Sequence, residues 1–511
     1  MPSGKSWGIG EIADIPRMAG WLDSAGFRLL QLLPINEMPP AETSPYSPLS
    51  AMAIDPQFIS MDAVEDFAAI GGEGALAPPD RVRLEAVRVA QTVDYTSVRR
   101  MKLDALRGSF VHFREYECRG ETRRAAAFQT FCSEQSWWLD DYVLYRALHA
   151  RHDERPWTEW PQPLRDREAS ALTLARTELA DDVMFRQYLQ WVAAGQWADA
   201  RREAGRVALF GDLPFMVSGD SADIWARQEE FRLDVSVGVP PDAFSDAGQD
   251  WGLPAYRWEV FAARDFDWLR HRGRRNADLY DGYRVDHLVG FFRTYFRAQD
   301  GAAGFTPPDE SSQRALGERV LEVFRERGSE IIAEDLGTVP DFVRDSLARL
   351  QVPGYKVLRW ERRWHEPGQP FNDPAGYDRL SVATSGTHDT EPMAIWWEQA
   401  PDDERRAVLD IPSVRDRLTA EDRERASERQ ELQPFLREAL LESLYASGAD
   451  LLLLPVQDVF GWRDRINQPA TVGDDNWTWR MPWASDRLSV QPEAMAVARQ
   501  LREWSEKHRR Q

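Results

Sequence analysis

Within "DGYRVDHLVGFF", residues 281–292, Arg284, Asp286 and His287 stand among apolar and aromatic neighbours. Charged side chains are rarely buried without a partner, so the pattern asks for a reason. In a strand, residues two apart share a face, which aims Arg284 and Asp286 the same way. An adjacent guanidinium lowers a carboxylate's pKa and keeps it ionised. A fixed, ionised, poorly hydrated carboxylate suits a nucleophile for a glycosidic carbon. Glu334 ends a second apolar run, "EIIAE". Burial against such a run raises a carboxyl's pKa, as a general acid requires. Carboxyl groups roughly 5–5.5 Å apart would give retention, and a wider pair inversion. His388 and Asp389 follow in "SGTHD", where Gly386 permits a bend that brings adjacent residues to one side. The competing reading of each piece is a structural ion pair or a strand-end cap.

Twenty-one tryptophans add a second signal. They gather in "SWW" (136–138), "RPWTEWP" (155–161), "DWG" (250–252), "WW" (396–397) and "DNWTWRMPW" (475–483). Flat rings with one polar tip suit surfaces that are half apolar and half wet, such as sugar rings. Taken one at a time, each is more readily a core residue.

These side chains need a scaffold that brings distant segments together. Seven short apolar runs recur with helical patterns between them: 28–35, 206–214, 281–287, 330–337, 355–360, 379–389 and 449–458. Strands alternating with helices predict βα units and a parallel sheet. Polar residues crowd the C-terminal ends: Asp212, Asp286, Glu334, His388 with Asp389, and Gln457 with Asp458. That is the active face of a (β/α)8 barrel. Seven strands do not close one, so an open doubly wound sheet stays as the alternative. The eighth strand should precede Gly8, where little chain lies, and the runner-up is "RLDVSVGV", 232–239. The strand at 28–35 is expected to be poorly paired on one side, or covered by 232–239 or by the first residues. Two connections are long. Residues 57–205 are expected to form a mostly helical subdomain, and 215–279 a loop subdomain covering substrate. The charge-laced segment 401–432 reads as a solvated surface.

The 511 residues carry a net charge of −21, which argues against a polyanionic partner such as nucleic acid. No apolar run reaches membrane-spanning length, and "MPSGKSWGIGE" has no apolar signal core, so a cytoplasmic protein is expected. Cys118 and Cys132 give neither a disulfide framework nor metal spacing. No Gly-rich phosphate loop competes. No cofactor and no metal is expected, and the chain is expected to be a monomer or a weak homo-oligomer.

"KSWGIGEI", "SPYSPLSA", "GDLPF", "DSADIWA", "GVPPDAFS", "YRVDHLVGFF", "IIAEDLG", "PGYKVL", "GTHDT" and "NWTWRMP" follow in the order of one known family. From about Ser6 to Trp483 the chain resembles the 4-α-glucanotransferases (amylomaltases, disproportionating enzymes) of glycoside hydrolase family 77. The resemblance implies a (β/α)8 barrel with large helical insertions after strands 2 and 3 and a retaining double displacement on maltodextrins. It implies Asp286 as nucleophile, Glu334 as acid/base and Asp389 as the carboxylate gripping sugar hydroxyls. Arg284 and His388 match residues holding the nucleophile and the sugar. Tyr46 matches an aromatic stacking on that sugar, with Ser44 beside it. Asp242, Gln249 and Trp251 match a loop over the acceptor side, and Asn467 a C-terminal contact.

The sequence departs from that pattern in three places. The family's first strand has no counterpart before "SWGIGE", so either the chain starts late or another segment fills the gap. Ala243 stands where an aromatic is usual after "GVPPD", and Thr390 stands for the asparagine after "GTHD". A mainly hydrolytic α-glucanase and a non-catalytic maltodextrin-binding protein are the alternatives.

Overall fold

A computed structural model of the chain describes residues 1–40, 42–241, 248–469, 471, 473 and 475–510. Seven parallel strands form its main sheet: β1 (Leu29–Gln31), β2 (Ala208–Leu213), β5 (Gly282–Val285), β8 (Glu330–Ala333), β9 (Gly354–Val357), β10 (Ser381–Thr384) and β11 (Leu451–Leu452). They lie side by side in that order, and each overlaps one of the seven apolar runs, with β9 starting one residue earlier than its run. Strands covered on both faces need continuous apolar sequence, which is why the runs were legible. β5 and β10 are buried at every position. Packing is close enough at Gly282 that a Cβ would lie 2.5 Å from the Phe210 ring of the neighbouring strand.

Helices return the chain between strands. Asp267–Leu279 leads into β5 and packs on Glu310–Arg325, which leads into β8. Asp341–Arg349 leads into β9 behind Pro340, whose fixed φ suits a helix start. Between β1 and β2 the chain is mainly helical, with Tyr95–His112, Arg123–Arg151 and Ala180–Glu203 the longest pieces. Asp94 and Thr122 cap the first two by accepting hydrogen bonds from Ser97 N and Ala125 N. Among the described residues, no helix is long and apolar enough to cross a membrane.

The sheet curls but does not close among the described residues. β1 pairs only with β2, and β11 only with β10. The expectation of an unpaired side at 28–35 therefore holds, and a closed eight-stranded barrel does not. Residues 232–239 are not the eighth strand. They belong to β3 (Phe231–Val239), in a separate antiparallel sheet with β4 (Gln249–Tyr256), β6 (Thr294–Ala298) and β7 (Ala303–Thr306), in the order β4-β3-β6-β7. Apolar alternation marks a strand but not its partner. Between β1 and β11 lies a cavity of about 480 Å³. Ile9, Ile12, Leu30 and Leu32 line it on one side, and Leu452 and Leu454 on the other. Met1, Pro2 and Ile9 to Glu11 border it without forming a strand.

Candidate active site

The registers of the parallel strands place the charged residues. Asp212 of β2 pairs with Arg284 of β5, and Val285 pairs with Ala333 of β8. One residue further, Asp286 and Glu334 leave two adjacent strand ends together. Asp286 N donates to Leu213 O at 3.0 Å and Glu334 N to Val285 O at 3.0 Å, so the backbone fixes both.

Arg284 is buried among carboxylates. Its Nη1 lies 2.8 Å from both oxygens of Asp212, and its Nη2 2.9 Å from Asp286 Oδ1. The guanidinium is thus divided, where the sequence reading gave it to Asp286 alone. Burial raises the pKa of Asp286; Arg284 opposes this, and Asp212, Glu334 and Asp389 add to it. The expected net lowering by Arg284 is therefore reversed, because one cation faces several carboxylates in a poorly hydrated place. Burial also raises Glu334, although Arg284 and two backbone N–H groups stabilise its charged form. His287 N donates to its Oε2 at 2.8 Å, and Leu336 N to its Oε1 at 3.2 Å.

His287 itself has φ +42°, a left-handed conformation that costs a non-glycine residue energy. The turn aims its N–H at Glu334 and its ring at Trp251, edge to face at 4.9 Å. Burial lowers its pKa to about 4, with Arg293 and Arg284 adding to the effect, so the ring is neutral near pH 7. Trp251 Nε1 donates to Gln249 Oε1 at 3.1 Å, tying these two predicted residues to the His287 turn. Asp242 and Ala243 lie outside the described residues.

The loops after β1 and β10 meet opposite this pair. Tyr46 and His388 stack with ring centroids 5.5 Å apart and planes at 21°. The Tyr46 hydroxyl donates to Asp212 Oδ2 at 2.8 Å and lies 3.0 Å from His388 Nε2. Ser44 lies half-buried two residues earlier. His388 Nε2 is 3.4 Å from Asp389 Oδ2, so the "GTHD" turn does bend both side chains toward one region. Asn467 Nδ2 donates to Asp389 Oδ1 at 2.6 Å, and Arg465 Nη2 to its backbone oxygen at 2.6 Å. Thr390 closes the turn: its hydroxyl donates to Thr387 O and accepts from Thr387 N, both at 3.0 Å.

Two neighbours were not among the predicted site residues. Asp212 was noted only as a polar strand end, and its role as shared acceptor for Arg284 and Tyr46 depends on pairings across 72 and 166 residues. Trp477 packs 5.6 Å from both Tyr46 and His388. Its signal was the cluster "DNWTWRMPW", which does not say which ring faces the cleft. Among the described residues, no group of His, Cys, Asp or Glu is placed to hold a metal ion. The arrangement can protonate a leaving group, present a nucleophilic carboxylate and stack a flat apolar ring.

Known proteins resemble this chain over nearly its whole length. The family model described as glycoside hydrolase family 77, 4-alpha-glucanotransferase, matches residues 1–486. A 4-alpha-glucanotransferase of Thermus thermophilus is 34% identical over 476 residues, covering 90% of this chain and 89% of that protein. One from Chlamydia pneumoniae is 31% identical over 491 residues, covering 95% and 90%. Among solved structures, an amylomaltase from Streptococcus agalactiae in complex with acarbose matches with TM-score 0.82 at 25% identity, over 99% of this chain and 97% of the other.

Proposed function

The chain belongs to the 4-alpha-glucanotransferases of glycoside hydrolase family 77, which act on α-1,4-glucans, and on that premise we propose that Asp286 carries the transferred glucan. Glu334 protonates the departing 4-oxygen while Asp286 attacks the anomeric carbon. The glycosidic bond breaks and a glycosyl ester on Asp286 forms. Glu334 then takes the proton of an acceptor's 4-hydroxyl, the new α-1,4 bond forms, and the ester bond to Asp286 breaks.

One observation carries this reading: Asp286 and Glu334 end adjacent parallel strands, and Arg284 pairs with Asp286 and not with Glu334. Neighbouring strands lie ~4.8 Å apart, on the scale of the ~5–5.5 Å of a retaining pair. Burial pushes both carboxyls toward holding a proton. The direct ion pair places the negative charge on Asp286 and leaves the proton to Glu334, the division that the first step needs. Asp389, fixed by Asn467, is read as gripping sugar hydroxyls, and Tyr46, backed by Trp477, as the stacking platform. The neutral ring of His388 is read as a hydroxyl contact, because burial lowers its pKa. Gln249 and Trp251, with Asp242, are read as the acceptor side. The bound acarbose of the Streptococcus agalactiae relative supports a saccharide in this cleft.

The sheet is read as seven of the eight strands of a (β/α)8 barrel, with the slot between β1 and β11 in the eighth position. Residues 57–205 are read as its helical insertion, and 215–279 as the substrate-covering one. Ala243 favours a second reading, mainly hydrolytic, since a smaller residue there would loosen the cover over the ester. Maltotriose separates the readings. Glucose plus longer oligomers means transfer, glucose and maltose alone mean hydrolysis, and an unchanged chromatogram refutes both.

A further inference from the structure

The loop that presents Tyr46 is gripped on both stems by one helix of the insertion. Asn36 and Ile54 bridge its base. On the first stem, Glu37 is buried, and its backbone oxygen accepts from Leu49 N at 2.8 Å across the loop. The Glu37 side chain accepts from Arg146 Nε at 3.0 Å and from the Tyr142 hydroxyl, both on helix Arg123–Arg151. On the second stem, residues 218–223 run beside the loop. Ser218 N donates to Pro48 O at 3.3 Å, Ala222 N to Leu49 O at 2.8 Å, and Ala51 N to Asp223 Oδ2 at 2.8 Å. This segment is tied to the same helix through Asp220, which meets His149 Nε2 at 2.8 Å and accepts from the Tyr145 hydroxyl at 2.8 Å.

The two grips are joined. Arg146 Nη1 and His149 Nδ1 lie 3.1 Å and 2.7 Å from the same oxygen of Glu154. His149 and Arg146 are almost wholly enclosed, with side chains 2% and 4% exposed. Burial opposes a charge on His149, but Asp220 and Glu154 outweigh it and raise its pKa. Burying this many ionisable groups is expensive, and apolar residues of similar size would hold a fold at lower cost. What such groups supply is directional placement.

We infer that Arg146 and His149 are positioning residues for the transfer reaction, holding the Tyr46 loop at the height at which its ring meets the sugar. The helix Arg123–Arg151 therefore belongs to the subsite in function, although neither Arg146 nor His149 lines the cavity that holds Asp212, Arg284 and His388. The inference rests on the reading of Tyr46 as a subsite residue. A mere prop for the fold and a positioning device differ in one way: only the second acts through Tyr46.

A double-mutant cycle between Arg146→Met and Tyr46→Ala tests this, with maltotriose as substrate and kcat and KM measured separately. Arg146→Met should raise KM on the order of tenfold and lower kcat only about threefold. Placed in the Tyr46→Ala background, it should change neither by more than about twofold. Glu37→Gln/Arg146→Met removes both charges of the pair, leaves Glu154 with its His149 contact, and serves as the variant that folds if the single one does not. His149→Gln should repeat the pattern from the other stem. An equal loss in both backgrounds, or none in either, overturns the inference while leaving the subsite reading intact. Full activity in Tyr46→Ala alone overturns the subsite reading, and the inference with it.

Discussion

Arg284 is bound more closely to Asp212 than to Asp286: two contacts of 2.8 Å against one of 2.9 Å. The cation beside the proposed nucleophile is therefore on loan from another carboxylate. Asp212 also raises the pKa of Asp286. Asp212→Asn should free the guanidinium for Asp286 and remove a nearby negative charge. The acid limb of the kcat/KM profile should then move down by about one pH unit, with a lower maximum because Tyr46 loses a charged acceptor. An acid limb that stays in place, measured between pH 4 and 8, would show that Asp212 is a strut only.

Asp286→Asn should abolish transfer and keep the fold, since Arg284 remains paired with Asp212. It should also stabilise. The folded-state pKa of Asp286 is raised, so ionising this carboxyl costs more in the folded protein than in the unfolded chain. Wild-type stability is therefore lost as pH climbs from the unfolded value near 3.9 toward the raised one. The variant escapes that loss. It should be more stable by about 1–3 kcal/mol at pH 7 and show little advantage at pH 4. Thermal melts at the two pH values check the sign.

Glu334→Gln separates the two halves of the reaction. A glucosyl fluoride needs no protonated leaving group, so the first step should survive and the ester should accumulate for want of a base. Mass spectrometry of the quenched protein should find the adduct on Asp286. An adduct on Asp389 or Asp212 would overturn the assignment of roles.

Trp477 touches both Tyr46 and His388 and pairs with neither by hydrogen bond. Trp477→Ala should leave kcat within about threefold and raise KM for maltotriose roughly tenfold, because it removes the backing of the platform and not the chemistry. A large fall in kcat at unchanged KM would place Trp477 in the reacting centre instead.

The main sheet was legible because its strands are continuous apolar runs, and their C-terminal ends announced themselves by charge. The antiparallel sheet was not. "TYFRA" and "AGFT", which form β6 and β7, are short and half-buried, and segment 232–239 has strand chemistry whichever sheet it joins. In the site, Asp286 and Glu334 could be picked out because each directly follows an apolar strand, and His388 and Asp389 because they stand in the "GTHD" turn after β10. Asp212 could not be ranked among them, since its importance lies in a register with Arg284 that only the folded sheet creates. The Glu37–Arg146 pair is 109 residues apart in the chain, and neither residue looks unusual where it stands.

The unclosed seam gives the cleft a mechanical character. The sheet is a C-shaped spring clip. Tyr46 rides on the jaw that follows β1, and His388 follows β10, one strand from the other jaw. Their stacked rings and 3.0 Å contact are where the tips meet. On the proposed reading of Tyr46 as the sugar platform, parting β1 from β11 would change the width of the slot between Tyr46 and His388. A side chain that bridged β1 and β11 would then act on that slot without standing inside it.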